Sequence, residues 1–185
     1  MLGKTIAFPD YSFYSTPELI AAYAAGGERL REAVAGLGEN ELRARPRGPH
    51  RWSIHEILLH TADSESQAAL RFKKVWSGDP GPLPWHDQDV WAREVDYQGQ
   101  SAEARDRALT LIGLVRQQTL PLLSRATERD WIKTGEHAEL GTLTMRNLLE
   151  LYADHGERHL EQILDSRARL DRPLVITPLL PRRLY

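Results

Sequence analysis

A chain of 185 residues with 41% hydrophobic side chains fits one domain built on one core. Its 26 acidic and 24 basic side chains leave a net charge of -2, so no basic field exists to draw in nucleic acid or an anionic membrane surface. The absence of cysteine removes disulfides, thiolate metal ligands and any thiol nucleophile carried by the protein itself.

The opening stretch "MLGKTIAFPDYSFYSTPE" has no apolar run of signal-peptide length, and nothing later reaches the roughly 20 apolar residues that span a bilayer, so a cytoplasmic location is expected. The first predicted helix begins at "STPELIAAYAAGGERLREAVAGLG". Ser15 or Thr16 can cap it, Pro17 suits its first turn, Leu19, Ala22, Tyr23, Leu30 and Val34 recur at helical spacing, and Gly38 ends it. The second opens with the capping box of Ser53 and Glu56, with Trp52 and Ile57 placed as a hydrophobic staple, and runs to about Trp76. A Pro/Gly-rich loop, "SGDPGPLPWHDQDVWAREVDYQGQ", separates the halves. Ser101 caps the third helix, which reaches about Arg125 and is expected to kink or shorten near Pro121. After a turn-rich stretch over 127–143, Thr144 caps the fourth, "TMRNLLELYADHGERHLEQILDSRARL". The tail from about 171, "DRPLVITPLLPRRLY", is apolar but broken by proline and reads as an extended arm. Four long helices with a long middle connection predict an all-α four-helix bundle, one domain over 1–185.

Ligand sites in such bundles lie between facing helices. His155 and His159, at i and i+4, stand one turn apart on the line of Leu148, Tyr152 and Gln162, so both imidazoles are expected to point inward. On the second helix, His60 lies in line with Ile57, Ser64, Gln67 and Arg71, a polar seam on an otherwise apolar element. Inward polar groups must be satisfied by hydrogen bonds or by a metal, and spacing alone leaves both open. Three neutral imidazoles on one ion would leave the fourth position free, as catalytic zinc sites do. His55 falls about 140° around the helix from His60 and reads as a surface residue. His50 and His137 sit in turns and are expected to be exposed. His86 lies with Trp85, Trp91 and Tyr97 in the middle loop, which either lids a pocket or packs its aromatics as satellite core. Arg71 could grip a substrate carboxylate or pair with Glu161, and Asp63 and Asp154 are candidate acceptors for imidazole N–H groups.

Several blocks of the chain together resemble the DinB-like proteins, and among them the bacillithiol-transferase (YfiT-like) branch. "AVAGLGENELRARPRGPHRWSIHEILLHTADSE", with His60 and Asp63 as its His-x-x-Asp pair, is similar to the family's first-half block. "LPWHDQDVWAREVD" is similar to the branch's middle loop, and "LTMRNLLELYADHGERHLEQI" to its closing His-x3-His block. The nearest relatives crowd that closing block with extra histidines and aromatics, whereas Gly156, Glu157 and Arg158 stand there here. The resemblance implies a four-helix bundle, often a homodimer, with His60, His155 and His159 as ligands of a divalent metal, zinc or nickel.

Two function classes follow. In the first, the metal centre binds a low-molecular-weight, bacillithiol-like thiol as thiolate and transfers it to an electrophilic small molecule, with Trp85, His86, Trp91 and Arg71 binding substrate and Asp63 supporting a ligand. A variant of that class activates water for hydrolysis. In the second, the bundle holds its ion for stability or stress sensing and is no enzyme. The ligand motif lacks the glutamate of H-E-x-x-H, which argues against a peptidase.

Overall fold

The computed structural model describes residues 11–47, 52–79 and 81–181. Four long helices form the bundle: α1 (Thr16–Val34), α3 (Ile54–Ser77), α5 (Ala102–Ser124) and α7 (Met145–Arg169). Shorter helices α2 (Glu39–Arg43), α4 (Gln88–Glu94) and α6 (Glu128–Trp131) and a 3-10 turn at Tyr97–Gly99 lie in the connections. The bundle expected from the sequence is therefore present. Its starts are set by local chemistry, because Ser15 with Glu18, Ser53 with Glu56, and Thr144 with Asn147 form reciprocal side-chain caps at the starts of α1, α3 and α7. The third helix passes through Pro121 and ends three residues later, so proline marks its last turn without cutting it short. The stretch expected as turns over 127–143 holds α6 and an antiparallel hairpin, β1 (Thr134–His137) with β2 (Gly141–Thr144), registered Thr134 to Thr144 and His137 to Gly141. Beyond Arg169 and a short turn, the described tail has no helix or strand. No helix of the described residues is long and apolar enough to cross a membrane.

Around the bundle, α1 packs on α7 and α5, and α3 packs on α5 and α7. The core is split in two. One apolar cluster joins Leu19 and Tyr23 of α1, Phe72 and Val75 of α3, Leu123 of α5 and Leu148 and Tyr152 of α7. The other joins Leu30 of α1, Ile54 and Leu58 of α3, Ile112 of α5 and Leu160 and Ile163 of α7. The first cluster draws on the early part of α1 and α7 but the late part of α3 and α5, so α1 and α7 run parallel, and α3 and α5 run parallel to each other and antiparallel to them. A parallel pair cannot be joined by a tight turn. The connection between α3 and α5 must travel back along about 36 Å of helix, the length of 24 residues. Its length is thus a requirement of the topology.

A polar layer separates the two clusters. Arg116, fully buried, crosses it from α5. Its guanidinium donates to Glu65 Oε1 of α3 at 2.5 Å, to the Tyr23 carbonyl of α1 at 2.7 Å and to the Tyr152 carbonyl of α7 at 3.2 Å. One side chain therefore ties all four helices. Gly26 and Gly156 make room for it, since a Cβ at either would stand 2.0 or 2.8 Å from an Arg116 nitrogen.

Candidate metal centre

The same polar layer carries the three predicted imidazoles. Nε2 of His155 lies 3.2 Å from Nε2 of His60 and 3.0 Å from Nε2 of His159, and one nitrogen from each ring falls within 4.8 Å of the others. Bonds of 2.0–2.1 Å to one tetrahedral ion put ligand atoms roughly 3.3–3.4 Å apart, so the donor set fits a divalent cation with little movement. With the amide oxygen of Gln162 at 2.9 Å, His159 Nδ1 carries the proton and donates, leaving the Nε2 lone pair directed at the other rings. His60 is held by packing: the Trp52 ring lies against it, centroids 4.7 Å apart. Burial and the neighbouring imidazoles hold His60 and His155 far below the usual histidine range, and burial above all brings His159 down to about 4. All three rings are neutral near pH 7, the form that binds a cation.

A cavity of about 430 Å³ opens beside the triad. His60, Ser64 and Arg71 of α3 with Tyr152 and His155 of α7 form its inner wall. The middle connection adds Trp85 and His86, and the hairpin adds His137 and Leu140. Its carboxylates, Asp87, Asp89 and Glu139, are exposed at the rim. A larger groove of about 800 Å³ on the α3–α5 face includes Asp63, Tyr97 and Leu111 but no member of the triad, so it lies apart from this chemistry.

Several expectations need correcting. Asp63 takes the Tyr97 hydroxyl at 2.5 Å, and Asp154 is engaged by the Tyr11 hydroxyl and Arg158, so neither supports an imidazole; Gln162 does. His60 Nδ1 and His155 Nδ1 are buried without a partner among the described residues. Arg71 does not pair with Glu161, which is taken by Arg158; it donates to the Pro84 carbonyl and the Tyr152 hydroxyl. His55 is buried and bonded through Nε2 to the Tyr97 carbonyl, because α2 and the 3-10 turn also pack on α3. His137 is buried as well, at the end of β1, where Nδ1 accepts the backbone N–H groups of Glu139 and Leu140. Burial and the nearby Arg71 charge keep that ring neutral, below its ordinary range. His50 lies outside the described residues. Within the middle loop the two alternatives divide by residue. Trp85 is 44% exposed at the cavity and His86 lines it; Trp91, 4.1 Å from the His86 ring, packs on the second apolar cluster and does not line the cavity, and Tyr97 is buried in the core and takes no part.

The profile of the DinB superfamily matches residues 22–163. The chain belongs to that superfamily. This DinB-superfamily protein is 30% identical over 173 residues to a Geobacillus kaustophilus protein whose name provisionally assigns it metal-dependent hydrolysis, covering 91% of this chain and 93% of that one. A Geobacillus thermodenitrificans relative with the same provisional name is 29% identical, with the same coverage of both chains. Among solved structures, YfiT from Bacillus subtilis, described as having an unusual four-helix bundle topology, superposes with a TM-score of 0.78 at 20% identity over 88% of this chain and 93% of that one. A mycothiol-dependent maleylpyruvate isomerase matches with a TM-score of 0.65 at 12% identity, over 82% of this chain and 62% of that one. These two likenesses concern the fold. Metal dependence in the names of the relatives accords with an imidazole triad that could hold an ion.

Proposed function

We propose that this DinB-superfamily protein is a divalent-metal enzyme that transfers a low-molecular-weight thiol of the bacillithiol type to an electrophilic small molecule. The observation that carries this reading is the composition of the cavity. Two of three neutral imidazoles line one end, and its carboxylates stand exposed at the rim, with none on the inner wall. A divalent cation held by His60, His155 and His159 would supply a full double charge that favours the thiolate over the thiol. The protein's own part is to keep the three imidazoles deprotonated by burial, to orient His159 through Gln162, and to bring the second reactant in past Trp85 and His86. The absence of cysteine agrees with a thiol brought in from outside, and the mycothiol dependence named for a protein of similar fold lends support.

Hydrolysis is the second reading, favoured by the provisional names of the relatives. The same donor set would lower the pKa of a coordinated water. One assay separates the two. Zinc- or nickel-loaded protein is incubated with bacillithiol and 1-chloro-2,4-dinitrobenzene; sulfur bonds to the ring carbon, chloride leaves, and the thiol proton passes to buffer. Thioether formation above the rate with free metal supports transfer. Release of the phenol with no consumption of thiol supports hydrolysis, and neither product above background leaves a bundle that only holds its ion.

A further inference from the structure

Four arginines are buried among the described residues: Arg71, Arg105, Arg116 and Arg167. Three of them are accounted for. Arg116 meets Glu65, Arg105 meets Glu39, and Arg167 spends its guanidinium on the carbonyls of Ala33, Ala35 and Arg172. Arg71 is only 7% exposed, meets no carboxylate among the described residues and, unlike Arg167 with its three carbonyls, lines a cavity. Its Nε donates to the Pro84 carbonyl at 2.8 Å and Nη1 to the Tyr152 hydroxyl at 2.7 Å, while Nη2 has no acceptor among the described residues. Those two bonds fix the plane of the fork. A largely buried guanidinium without a counter-anion is unfavourable, and this one lines the cavity beside the triad, where its unpaired nitrogen is open to an incoming anion.

His137 stands in the wall of the same cavity. Because Nδ1 accepts two backbone N–H groups, at 3.2 and 3.3 Å, the proton of the neutral ring is on Nε2, which has no acceptor among the described residues. The hairpin thus presents a donor of fixed orientation near the fork of Arg71. Two donors without a protein partner among the described residues, one of them charged and both carried by otherwise buried side chains that open onto the cavity, are the complement of a carboxylate. The rim residues Asp87, Asp89 and Glu139 are solvated, and Asp87 is further occupied in capping α4, so they leave the inner wall uncompensated.

We infer that Arg71 and His137 form a carboxylate-binding wall, and that the molecule accepted beside the imidazole triad carries a carboxylate. The inference deepens the proposed function and rests on it only for the identity of the reacting end. The bond from Arg71 to Tyr152, whose ring is 6.3 Å from that of His155, links the wall to the ligand helix.

The probe is glutarate, with its uncharged diamide as control, titrated by calorimetry into metal-free and nickel-loaded protein. Wild-type protein should bind glutarate and not the diamide. Arg71→Met should weaken glutarate at least tenfold while nickel content and helical signal are kept, and Arg71→Lys should recover part of the loss. His137→Asn keeps an acceptor for the Glu139 and Leu140 N–H groups but removes the Nε2 donor, and should weaken glutarate severalfold. If Arg71→Met does not fold, the lysine and asparagine variants carry the test. Equal binding of the diamide, no binding by wild type, or glutarate binding that follows nickel and ignores both substitutions overturns the inference. Failure to load nickel together with Arg71-dependent glutarate binding would overturn the proposed function and leave the carboxylate wall standing.

Discussion

Replacing Gly26 by alanine tests whether the polar layer is as rigid as its packing implies. The new methyl carbon would stand 2.0 Å from Nη1 and 2.8 Å from Cζ of Arg116, both far inside contact distance. Arg116 has nowhere to retreat, since Gly156 flanks it from α7 and its bonds to Glu65 and the Tyr23 carbonyl fix the head group. Breaking a buried ion pair costs about 3–5 kcal/mol, from which the helix preference of alanine over glycine returns about 1, for a net loss of about 2–4 kcal/mol. At about 2–4 °C per kcal/mol for a chain of this size, the melting temperature should fall by roughly 4–16 °C. Gly113→Ala on α5 is the matched control: nothing lies within 4 Å of its added carbon, so it should raise stability by up to about 1 kcal/mol. Thermal unfolding followed by circular dichroism reads both. A Gly26→Ala protein that melts at or above the wild-type temperature would refute the idea that Arg116 is pinned.

His159→Ala should abolish binding of zinc or nickel, measured by metal analysis, while the helical signal persists, because both apolar clusters are built without it. Gln162→Leu removes the acceptor that orients His159 and should weaken metal about 10–100-fold in a competition titration with a chelator. Stability of the metal-free protein should be greatest above pH 6.5 and fall as pH drops toward about 4, read as denaturation midpoints across that window. The folded rings of His55, His60, His155 and His159 sit below their unfolded value, so the unfolded chain takes up protons first, each ring contributing up to about 1.4 kcal/mol per pH unit. Trp85→Ala and Trp91→Ala should leave metal content intact while lowering thioether formation or shifting preference across a panel of electrophiles; unchanged kinetics in both would make these rings packing only.

What could be read from the sequence was what short-range chemistry decides. Ser15, Ser53 and Thr144 cap their helices through residues three positions on, and His60, His155 and His159 fall on inward lines because helical periodicity is local. The parts that depend on several elements meeting were not visible. His55 is on the side of α3 away from the triad, yet α2 and the 3-10 turn cover that side too, so an angle about one helix could not show it buried. His137 sits in a strand of four residues with little alternation to announce it, and its orientation comes from backbone groups two and three positions ahead. Asp63 looked like a partner for His60 until the Tyr97 hydroxyl, 34 residues away, claimed it. Arg116 gave no signal at all, since an arginine at a core-facing position contradicts the apolar pattern used to find cores.

Glu157, between the two histidines of α7, is buried; it takes two bonds from Arg29 and one from the backbone N–H of Leu179 in the tail. The arm is thus tied to the ligand helix at the residue flanked by its imidazoles. Transplanting the His-x3-His segment into another bundle would therefore carry along a buried carboxylate stripped of three donors, unless α1 and the arm travelled with it. The motif is short on paper, but the smallest portable unit of this metal centre spans nearly the whole described chain.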